Sequence, residues 1–460
     1  MTIVESLSGV RGIYGLELTD EKIEIYAKLY SDFLKEKNPE EKIKIVVGRD
    51  ARPSGESVLR SLIKGLDSEF EIIDVGILPT PFIQNAVREF HAQGGIIITA
   101  SHNEPEFNGF KFLNKEGGQL MPPEIEAIIK KANERNSSSG NPKNNNNNNK
   151  IMNMHPEAIE AYKKFARAIL KTDRINTTAK ILMDPNGGAG VFSKEIFESF
   201  GINAEYMNMI PGEFNRTVEP NIKTLGHLKE KIQQGGFEFL MGFDCDADRV
   251  EILLDDGSIV SGNHSIAIIA DHLLSKAKEK EKSVVVNGAT SHIVREIARK
   301  HGAKFKEVDV GEPNVVGEMS RSCSIIGGEG TSGGPIISPS KCRDGILTSL
   351  FLLKIISEKD KSLKDIIQEL PPYHNVKEFF KIKEDFTSSR ERIKLYYLKK
   401  GFEVQEFGDS NGGLKAIKNG SWIWFRQSRT EDLVMKCFAD SKDKNTSQTL
   451  IDEAKQLLMG

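Results

Sequence analysis

A serine at the end of a short apolar run is the first residue in this chain whose setting suggests chemistry. Ser101 directly follows Ile96–Ala100 (IIITA), and His102 and Asn103 behind it are able to donate hydrogen bonds. A buried strand would deliver Ser101 to the carboxyl edge of a sheet, where open α/β sheets bind ligands. On local grounds alone, a helix-capping serine explains the position equally well. Lys111 follows ten residues later.

A second loop places three carboxylates at alternate positions. Asp244, Asp246 and Asp248 are separated by Cys245 and Ala247. In an extended backbone, side chains at alternate positions project to one side, so we expect the three carboxylates to converge while the other two residues turn away. Three oxygen ligands suit Mg²⁺ and leave room for a phosphate oxygen. Because close carboxylates repel without a cation, the loop predicts a metal site rather than a solvated acidic turn.

The same pattern also opens the calcium loop of an EF-hand, with Asp255 at its twelfth position. That loop needs glycine at its sixth position and helices on both sides. Here Arg249 takes the glycine position, and Phe237–Phe243 and Val250–Leu254 have the pattern of strands. A calcium-binding role is therefore disfavoured. A serine able to carry a phosphate and a site for Mg²⁺ together indicate phosphoryl transfer.

Two further loops are suited to polar ligands. The loop Gly327–Gly334 (GGEGTSGG) matches neither common nucleotide-binding glycine motif, and the carboxylate of Glu329 suits sugar hydroxyls better than phosphates. Taken alone, an ordinary turn explains it. Arg426, Ser428 and Thr430 stand at alternate positions before a predicted helix. Guanidinium and hydroxyl groups are phosphate ligands, although this spacing is common by chance.

Short apolar runs alternate with amphipathic stretches in a βαβ rhythm, which predicts mixed or parallel sheets with helices on both faces. After about Lys377 the segments shorten, which predicts a smaller C-terminal α+β domain. The polar segment Asn136–Lys150 predicts a flexible surface insertion. The predicted strands are 43–47, 71–75, 95–99, 180–184 and 283–286, and the predicted helices are 54–65, 81–90, 191–200 and 291–301.

Composition excludes several classes of protein. The 460 residues suffice for two to four domains. Lys and Arg number 63 and Asp and Glu 66, a net charge of −3, so no basic field indicates binding to nucleic acid or to an anionic membrane. The four cysteines lack metal-site and disulfide spacing, and neither a signal peptide nor a bilayer-spanning run is present. We expect a cytoplasmic protein with a small anionic ligand, and the oligomeric state stays open.

The order of these motifs resembles that of the α-D-phosphohexomutase superfamily, and the likeness covers essentially the whole chain. A single matching segment would be weak evidence, but six in the family's order are specific. The matching segments are Ser8–Gly12, Gly48–Gly55, Thr99–Lys111, Asp244–Arg249, Glu329–Gly334 and Arg426–Glu431.

The resemblance implies four domains: three of related mixed α/β sheet topology, a smaller C-terminal α+β domain, and an active site in the central cleft. The expected domains are 1–150 with the phosphoserine loop, 151–255 with the magnesium loop, 256–372 with the sugar-recognition loop and 373–460 with the phosphate-binding loop.

The resemblance also implies a mutase reaction. Phosphorylated Ser101 would give its phosphoryl group to a hexose phosphate, and the resulting sugar bisphosphate would return its other phosphate to the serine. Mg²⁺ is the implied cofactor and a sugar bisphosphate the implied activator. Lys111 is the implied general acid/base.

The implied site residues fall into three sets. The metal ligands are Ser101, Asp244, Asp246 and Asp248. The catalytic residues are Ser101, Lys111, Arg11, His102 and Arg249. The residues that bind the sugar hydroxyls and the non-reacting phosphate are Glu329, Thr331, Ser332, Arg426, Ser428 and Thr430.

Four positions depart from the family pattern. Glu104 and Cys245 stand where Pro and Gly are usual, and Asp432 and Met435 replace Pro and Arg. The sugar loop is one residue longer than the G-E-G-x-G-G form. The overall pattern favours glucosamine phosphate over glucose or mannose phosphate. The alternatives are a catalytically weak sugar-phosphate-binding paralogue and, less favoured, a phosphatase.

Overall fold

The described residues of the computed structural model form four β-sheets covered by helices. They are residues 3–136, 149–279, 282–331, 333–383, 386–409, 411–428 and 433–459. Most of the predicted surface insertion, residues 137–148, lies outside them. The chain divides into two compact units: Met1–Val260 with Pro339–Asp360, and Ser261–Ser338 with Lys361–Gly460. No helix within the described residues has the length and apolar character needed to cross a membrane.

The first sheet contains seven strands and positions the serine loop. Its segment comprises β1 (Val4–Ser6), β2 (Gly9–Ile13), α1 (Asp20–Lys37), β3 (Lys44–Arg49), α2 (Gly55–Gly65), β4 (Glu71–Ile77), α3 (Thr80–Glu89), β5 (Gly94–Ile98), β6 (Phe107–Asn114), α4 (Pro122–Asn136) and β7 (Lys150–Asn153). The strand order is β1-β2-β6-β5-β3-β4-β7. Strands β5, β3, β4 and β7 run parallel, and β6 is antiparallel to β5.

Both faces of this sheet are buried, as the apolar runs predicted. Ile96 and Ile98 lie in one core with residues of α1, α2 and α4. On the opposite face, glycines allow α3 to approach closely, because a Cβ on Gly48 would lie 2.7 Å from the side chain of Ile83. Burial on both faces explains why β5 is continuously apolar rather than alternating.

The second sheet positions the aspartate loop. Its segment comprises α5 (His155–Leu170), β8 (Ile181–Asp184), α6 (Lys194–Ser199), β9 (Glu205–Tyr206), α7 (Ile222–Leu225), α8 (Lys229–Gly235), β10 (Phe239–Phe243), β11 (Val250–Leu254) and β12 (Ile259–Val260). The strand order is β12-β11-β10-β8-β9. The predicted helix 191–200 begins as a 3₁₀ turn, Ala189–Ser193, and continues as α6.

The third sheet has four strands in the order β14-β13-β15-β16. Its segment comprises α9 (Gly262–Lys276), β13 (Ser283–Asn287), α10 (His292–Lys300), β14 (Lys304–Val308), α11 (Glu312–Ser322), β15 (Ile326–Glu329), β16 (Gly334–Ile337), α12 (Gly345–Lys359) and α13 (Leu363–Gln368). Helix α12 belongs to the first compact unit and α13 to the second.

These three sheets share one topology. Each contains four consecutive strands: β3–β6 in the first sheet, β8–β11 in the second and β13–β16 in the third. The first strand of each set pairs in parallel with the second and the third, and the fourth strand pairs antiparallel with the third. The loop between the third and fourth strands carries Ser101 in the first sheet and the three aspartates in the second. In the third sheet the equivalent loop follows Glu329. The repeated unit is therefore topological, as the βαβ rhythm predicted, and the predicted fold class is confirmed.

The fourth sheet is antiparallel throughout. It contains β17 (His374–Lys381), α14 (Phe386–Lys399), β18 (Glu403–Glu406), β19 (Leu414–Lys418), β20 (Ser421–Gln427), β21 (Val434–Ser441) and α15 (Lys444–Met459), with strand order β17-β21-β20-β19-β18. The helix predicted after the Arg426 motif is wrong, because that segment forms the strand β21. Met435 and Cys437, two residues apart, lie in one hydrophobic core, and Phe438 lies in a different one. This alternation with a period of two is typical of a strand that is buried on both faces.

Candidate active site

Ser101 lies in the loop between β5 and β6 and has a left-handed backbone, with φ of 53°. A non-glycine residue in this region costs about 1–3 kcal/mol and persists only where the surrounding structure imposes it. The Ser101 backbone N–H donates to Thr99 Oγ1 at 2.8 Å, and the Thr99 hydroxyl donates to Asp50 Oδ2 at 2.6 Å. Two consecutive buried hydrogen bonds, through Thr99 to Asp50, thus hold the backbone of the serine.

Arg52 is the residue that holds this loop together. Its side chain is fully buried and its Nε donates to Asp50 Oδ2 at 3.0 Å. Its two terminal nitrogens donate to four backbone carbonyls of the serine loop at 2.6–2.8 Å, those of Ser101, Asn103, Glu104 and Phe107. One guanidinium therefore fixes the path of the backbone from the serine to β6.

The aspartate loop is a turn and not an extended segment, so the predicted reason for convergence is wrong. Ala247 has a φ of 51°, and this reversal brings the carboxylates together instead. One oxygen each of Asp244, Asp246 and Asp248 lies within 4.8 Å of the others. Ser101 Oγ lies 3.5 Å from Asp244 Oδ2. Serine and carboxylates, 143 residues apart in sequence, form one buried cluster.

In two of the aspartates, one carboxylate oxygen accepts hydrogen bonds from protein donors and the other does not. Asp246 Oδ2 accepts from Lys111 Nζ at 3.0 Å and from Thr80 Oγ1 at 2.8 Å. Asp248 Oδ2 accepts from Arg343 Nη2 at 2.9 Å. Both Oδ1 atoms are buried and accept no hydrogen bond from any described residue. Buried unsatisfied oxygens of this kind fit a hard divalent cation such as Mg²⁺.

Electrostatics within the cluster support a cation. Burial and the charges of Asp248 and Asp246 raise the pKa of Asp244 well above its ordinary value. Burial opposes ionisation of Asp248 too, but Arg343, Lys111 and Arg249 outweigh it and lower its pKa. The like-charge repulsion at Asp244 is what a bound divalent cation would remove.

The basic residues expected at the site surround Ser101 and the aspartates. Arg249 Nε lies 3.6 Å from both Asp244 Oδ2 and Asp248 Oδ1, and its Nη1 donates to Glu219. Arg11 Nη1 donates to Asn103 Oδ1 at 3.3 Å.

The charge of Arg249, burial and the charge of Arg11 lower the pKa of His102 well below its ordinary value. This lowering favours the neutral imidazole, in which one ring nitrogen donates and the other accepts.

A second arginine, with a side chain 4% exposed, holds the aspartate loop. Arg216 Nε donates to Asp184 Oδ2 at 2.7 Å, and its Nη2 donates to the carbonyl of Phe243 at 2.7 Å. Phe243 is the last residue of β10 and directly precedes Asp244. Arg216 therefore fixes the start of the aspartate loop, as Arg52 fixes the serine loop.

Three of the four departures from the family pattern lie among the described residues. The Glu104 carboxylate accepts from the backbone N–H of Val218 at 3.3 Å, which gives the extra charge a partner. Cys245 is buried, and burial together with the neighbouring Asp50 raises the pKa of its thiol well above its ordinary value. Met435 lies in the core of the fourth sheet, and Asp432 is outside the described residues.

The expected substrate-binding residues lie in the second unit. Glu329 is buried, and its Oε1 accepts from Asn287 Nδ2 and from the backbone N–H of Gly311, both at 2.9 Å. The carbonyl of Thr331 accepts from Lys377 Nζ at 2.9 Å. Ser332 lies outside the described residues.

Arg426, at the end of β20, is 5% exposed. Its Nη1 donates to the carbonyl of Val310 at 3.3 Å, and its Nη2 lies 3.6 Å from Asp309 Oδ2. Ser428 is buried and its backbone N–H donates to Val434. Thr430 is outside the described residues.

Comparison with known proteins defines the class of protein. A family model described as phosphoglucomutase/phosphomannomutase, alpha/beta/alpha domain I, matches residues 5–139, and the domain III model of the same family matches residues 261–373. A phosphoglucomutase/phosphomannomutase of Thermococcus kodakarensis is 31% identical over 98% of this chain and 97% of that protein. The chain therefore belongs to the phosphoglucomutase/phosphomannomutase family of the α-D-phosphohexomutase superfamily, and it is an isomerase of the phosphohexomutase class.

The chain is also similar to another curated relative and to a solved structure. A phosphoglucosamine mutase of Thermotoga neapolitana is 27% identical over 98% of each chain. The crystal structure of a phosphoglucomutase/phosphomannomutase family protein from Burkholderia thailandensis is 18% identical and superposes with a TM-score of 0.80, covering 98% of this chain and 95% of that one. The structural likeness supports the same fold.

Sequence reasoning missed three groups at the cluster. Thr80 opens α3 in a Thr-Pro pair, an ordinary start for a helix. Arg343 precedes α12 and lies 95 residues from Asp248, with no spacing that could connect them. Arg52 belonged to a matching segment, but nothing in the sequence showed that it binds four carbonyls.

Proposed function

We propose that this enzyme is a phosphosugar mutase that moves a phosphoryl group between the 1- and 6-positions of a hexose phosphate. The observation that carries the proposal is the buried cluster in which Ser101 Oγ lies 3.5 Å from Asp244 Oδ2. A serine beside carboxylates that would bind Mg²⁺, and ringed by Lys and Arg side chains, suits a phosphoserine intermediate. A small sugar bisphosphate would load the first phosphate onto Ser101.

In the first transfer, a hydroxyl oxygen of the sugar attacks the phosphorus on Ser101. The new oxygen–phosphorus bond forms as the bond to Oγ breaks, and the electrons of that bond remain on Oγ. Lys111, with its amine neutral, takes up the proton of the sugar hydroxyl, and Ser101 Oγ leaves as an oxyanion that is the nucleophile of the second transfer. Arg11 and Arg249 stabilise charge on the transferring group.

The second transfer is the reverse reaction on the other phosphate. The sugar bisphosphate turns over, and Ser101 Oγ attacks the phosphorus at the other position, with Lys111 returning a proton to the sugar oxygen. Asp246 Oδ2, 3.0 Å from Lys111 Nζ, orients the amine for both steps. His102, the residue after Ser101, can donate a hydrogen bond to the phosphate.

Asp244, Asp246, Asp248 and a phosphate oxygen on Ser101 are the proposed holders of Mg²⁺. When bound, the ion would neutralise charge on the phosphate oxygens. This assignment is supported by the buried Oδ1 atoms of Asp246 and Asp248.

Recognition of the substrate is proposed for the second unit. Glu329, with Thr331 or Ser332, would bind the sugar hydroxyls, and Arg426, Ser428 and Thr430 would bind the phosphate that does not react. Glucosamine phosphate is the favoured substrate because several relatives are named phosphoglucosamine mutases. Glucose and mannose phosphates remain the rivals, since another relative is named a phosphoglucomutase/phosphomannomutase.

The test is a ³¹P NMR assay of the purified protein with Mg²⁺ and a trace of sugar bisphosphate. Glucosamine, glucose and mannose phosphates are offered in parallel. Interconversion of 1- and 6-phosphates is expected, and the ratios of kcat/KM identify the sugar. Release of inorganic phosphate without isomerisation would show a phosphatase. If mass spectrometry confirms that Ser101 is phosphorylated, and the sugar phosphate binds but is not converted, the protein would be a binding paralogue.

A further inference from the structure

Thr80 reaches the aspartate loop from the first turn of α3. Its backbone N–H donates to the carbonyl of Asp246 at 2.9 Å, and its Oγ1 donates to Asp246 Oδ2 at 2.8 Å. Both residues are buried, at 1% and 0% exposure. The two contacts fix the backbone and the carboxylate of one proposed metal ligand at once.

The hydroxyl contact leaves the two oxygens of Asp246 inequivalent. Oδ2 is occupied by Thr80 and Lys111, whereas Oδ1 is buried and accepts nothing from the part of the chain that the structure describes. Asp248 shows the same division, with Arg343 on Oδ2. Each of these two carboxylates has one buried oxygen that accepts no hydrogen bond among the described residues, although Arg249 Nε lies 3.6 Å from Asp248 Oδ1.

A carboxylate that can offer only one oxygen favours cations that bind carboxylates through a single oxygen. Mg²⁺ requires a near-octahedral set at short distances, whereas Ca²⁺ takes six to eight oxygens in flexible geometry and often binds carboxylates through both. Asp246 can bind a cation through both oxygens only if a buried hydrogen bond is broken. Partners behind the ligands commonly tune a metal site in this way.

We propose that Thr80 is a positioning residue that keeps Asp246 monodentate and thereby makes the site select Mg²⁺ over Ca²⁺. The inference rests on the proposed metal site. Lys111 Nζ donates to the same oxygen, but in the proposed reaction it also exchanges protons with the sugar. The Thr80 hydroxyl has no such task and stays on Oδ2 throughout.

The test replaces the hydroxyl without changing charge or volume. Thr80→Val removes the Oγ1 contact and retains the backbone N–H that binds the Asp246 carbonyl. Binding of Mg²⁺ and of Ca²⁺ to EDTA-treated protein is measured by calorimetry, with intact mass confirming one phosphorylation state in all samples. Affinity for Mg²⁺ is expected to fall about tenfold or more while affinity for Ca²⁺ falls less, so the Mg²⁺/Ca²⁺ preference drops.

Two control variants separate the hydroxyl from packing and from helix capping. Thr80→Ser keeps the hydroxyl and should keep the wild-type preference. Thr19→Val removes a hydroxyl that accepts the Lys22 N–H at the start of α1, and it should leave cation selectivity unchanged.

Three results would overturn the inference. If Thr80→Val lowers the affinities for Mg²⁺ and Ca²⁺ equally, or lowers neither, the hydroxyl does not determine the preference for Mg²⁺. A serine variant that behaves like the valine variant would show that the threonine methyl group acts through packing. Wild-type protein that binds neither cation would instead remove the proposed metal site, and with it the basis of the selectivity.

Discussion

The loops that follow β5 and β10 differ from the topologically equivalent loop that follows β15 in what holds them. Arg52 donates to four carbonyls of the serine loop, and Arg216 donates to the carbonyl that opens the aspartate loop. At the end of β15, by contrast, Glu329 accepts from an amide and a backbone N–H, and in the loop that follows, the carbonyl of Thr331 accepts from a lysine, Lys377, rather than from an arginine. The shared topology therefore provides three equivalent loops, and different side chains hold the backbone of each one.

The difference follows from what each loop must hold. The serine and aspartate loops bring charged groups close together in a buried setting, where small displacements change electrostatic energies strongly. A buried guanidinium that spans several carbonyls fixes such a backbone in all directions.

Removing the nucleophile tests the serine loop most severely. Ser101→Ala is expected to lower turnover by more than about 10⁴-fold, because no other group in the proposal carries the phosphoryl intermediate. The ³¹P NMR assay measures the loss, and thermal melting should match wild type. Substantial turnover in this variant would remove Ser101 from the mechanism.

Removing a loop-holding arginine tests the comparison itself. Arg52→Gln leaves Asp50 and four carbonyls without their shared donor, so we expect a loss of about 3 kcal/mol or more in the free energy of unfolding. Turnover should fall about 100-fold because Ser101 is displaced. Denaturant unfolding and the NMR assay measure the two effects. The matched control is Arg60→Gln on α2, an exposed arginine that bonds only Ser57 among the contacts described, and similar losses there would refute the special role of Arg52.

Removing the proposed phosphate ligand tests the second unit. Arg426→Ala is expected to raise KM about 10- to 100-fold, the equivalent of one lost charge-assisted hydrogen bond, with a smaller change in kcat. Steady-state kinetics separate the two parameters. Arg299→Ala, which removes an exposed arginine paired with Glu296, is the control. An unchanged KM for Arg426→Ala would exclude Arg426 from substrate binding.

The smallest effect is expected where this chain departs from the family pattern beside the phosphoserine. Glu104→Gln keeps an acceptor for the Val218 N–H and removes one negative charge. Because the carboxylate already bonds that N–H, kcat should stay within about twofold of wild type and stability within about 0.5 kcal/mol. A marked acceleration would show that Glu104 repels the phosphate and would favour the catalytically weak paralogue.

Much of this arrangement could be predicted from local patterns. The continuous apolar run before Ser101 indicated a central strand, and β5 is one. The D-x-D-x-D pattern indicated a cation site, although a turn at Ala247 rather than an extended backbone brings the carboxylates together. The helix predicted after Arg426 failed, because Val434–Ser441 pairs with strands on both sides and tertiary pairing overrode the local pattern.

The sequence by itself determined the chemistry available to this protein: a serine after a buried strand, three alternating carboxylates and the cations Lys111 and Arg249. It also determined the repeated βαβ order, because hydrophobic periodicity is local information. Only the tertiary structure decided that Thr80, Arg52, Arg216 and Arg343 hold those groups in place. These partners lie far from the loops they support, and contacts over such separations arise from how sheets and helices pack, which no local pattern encodes.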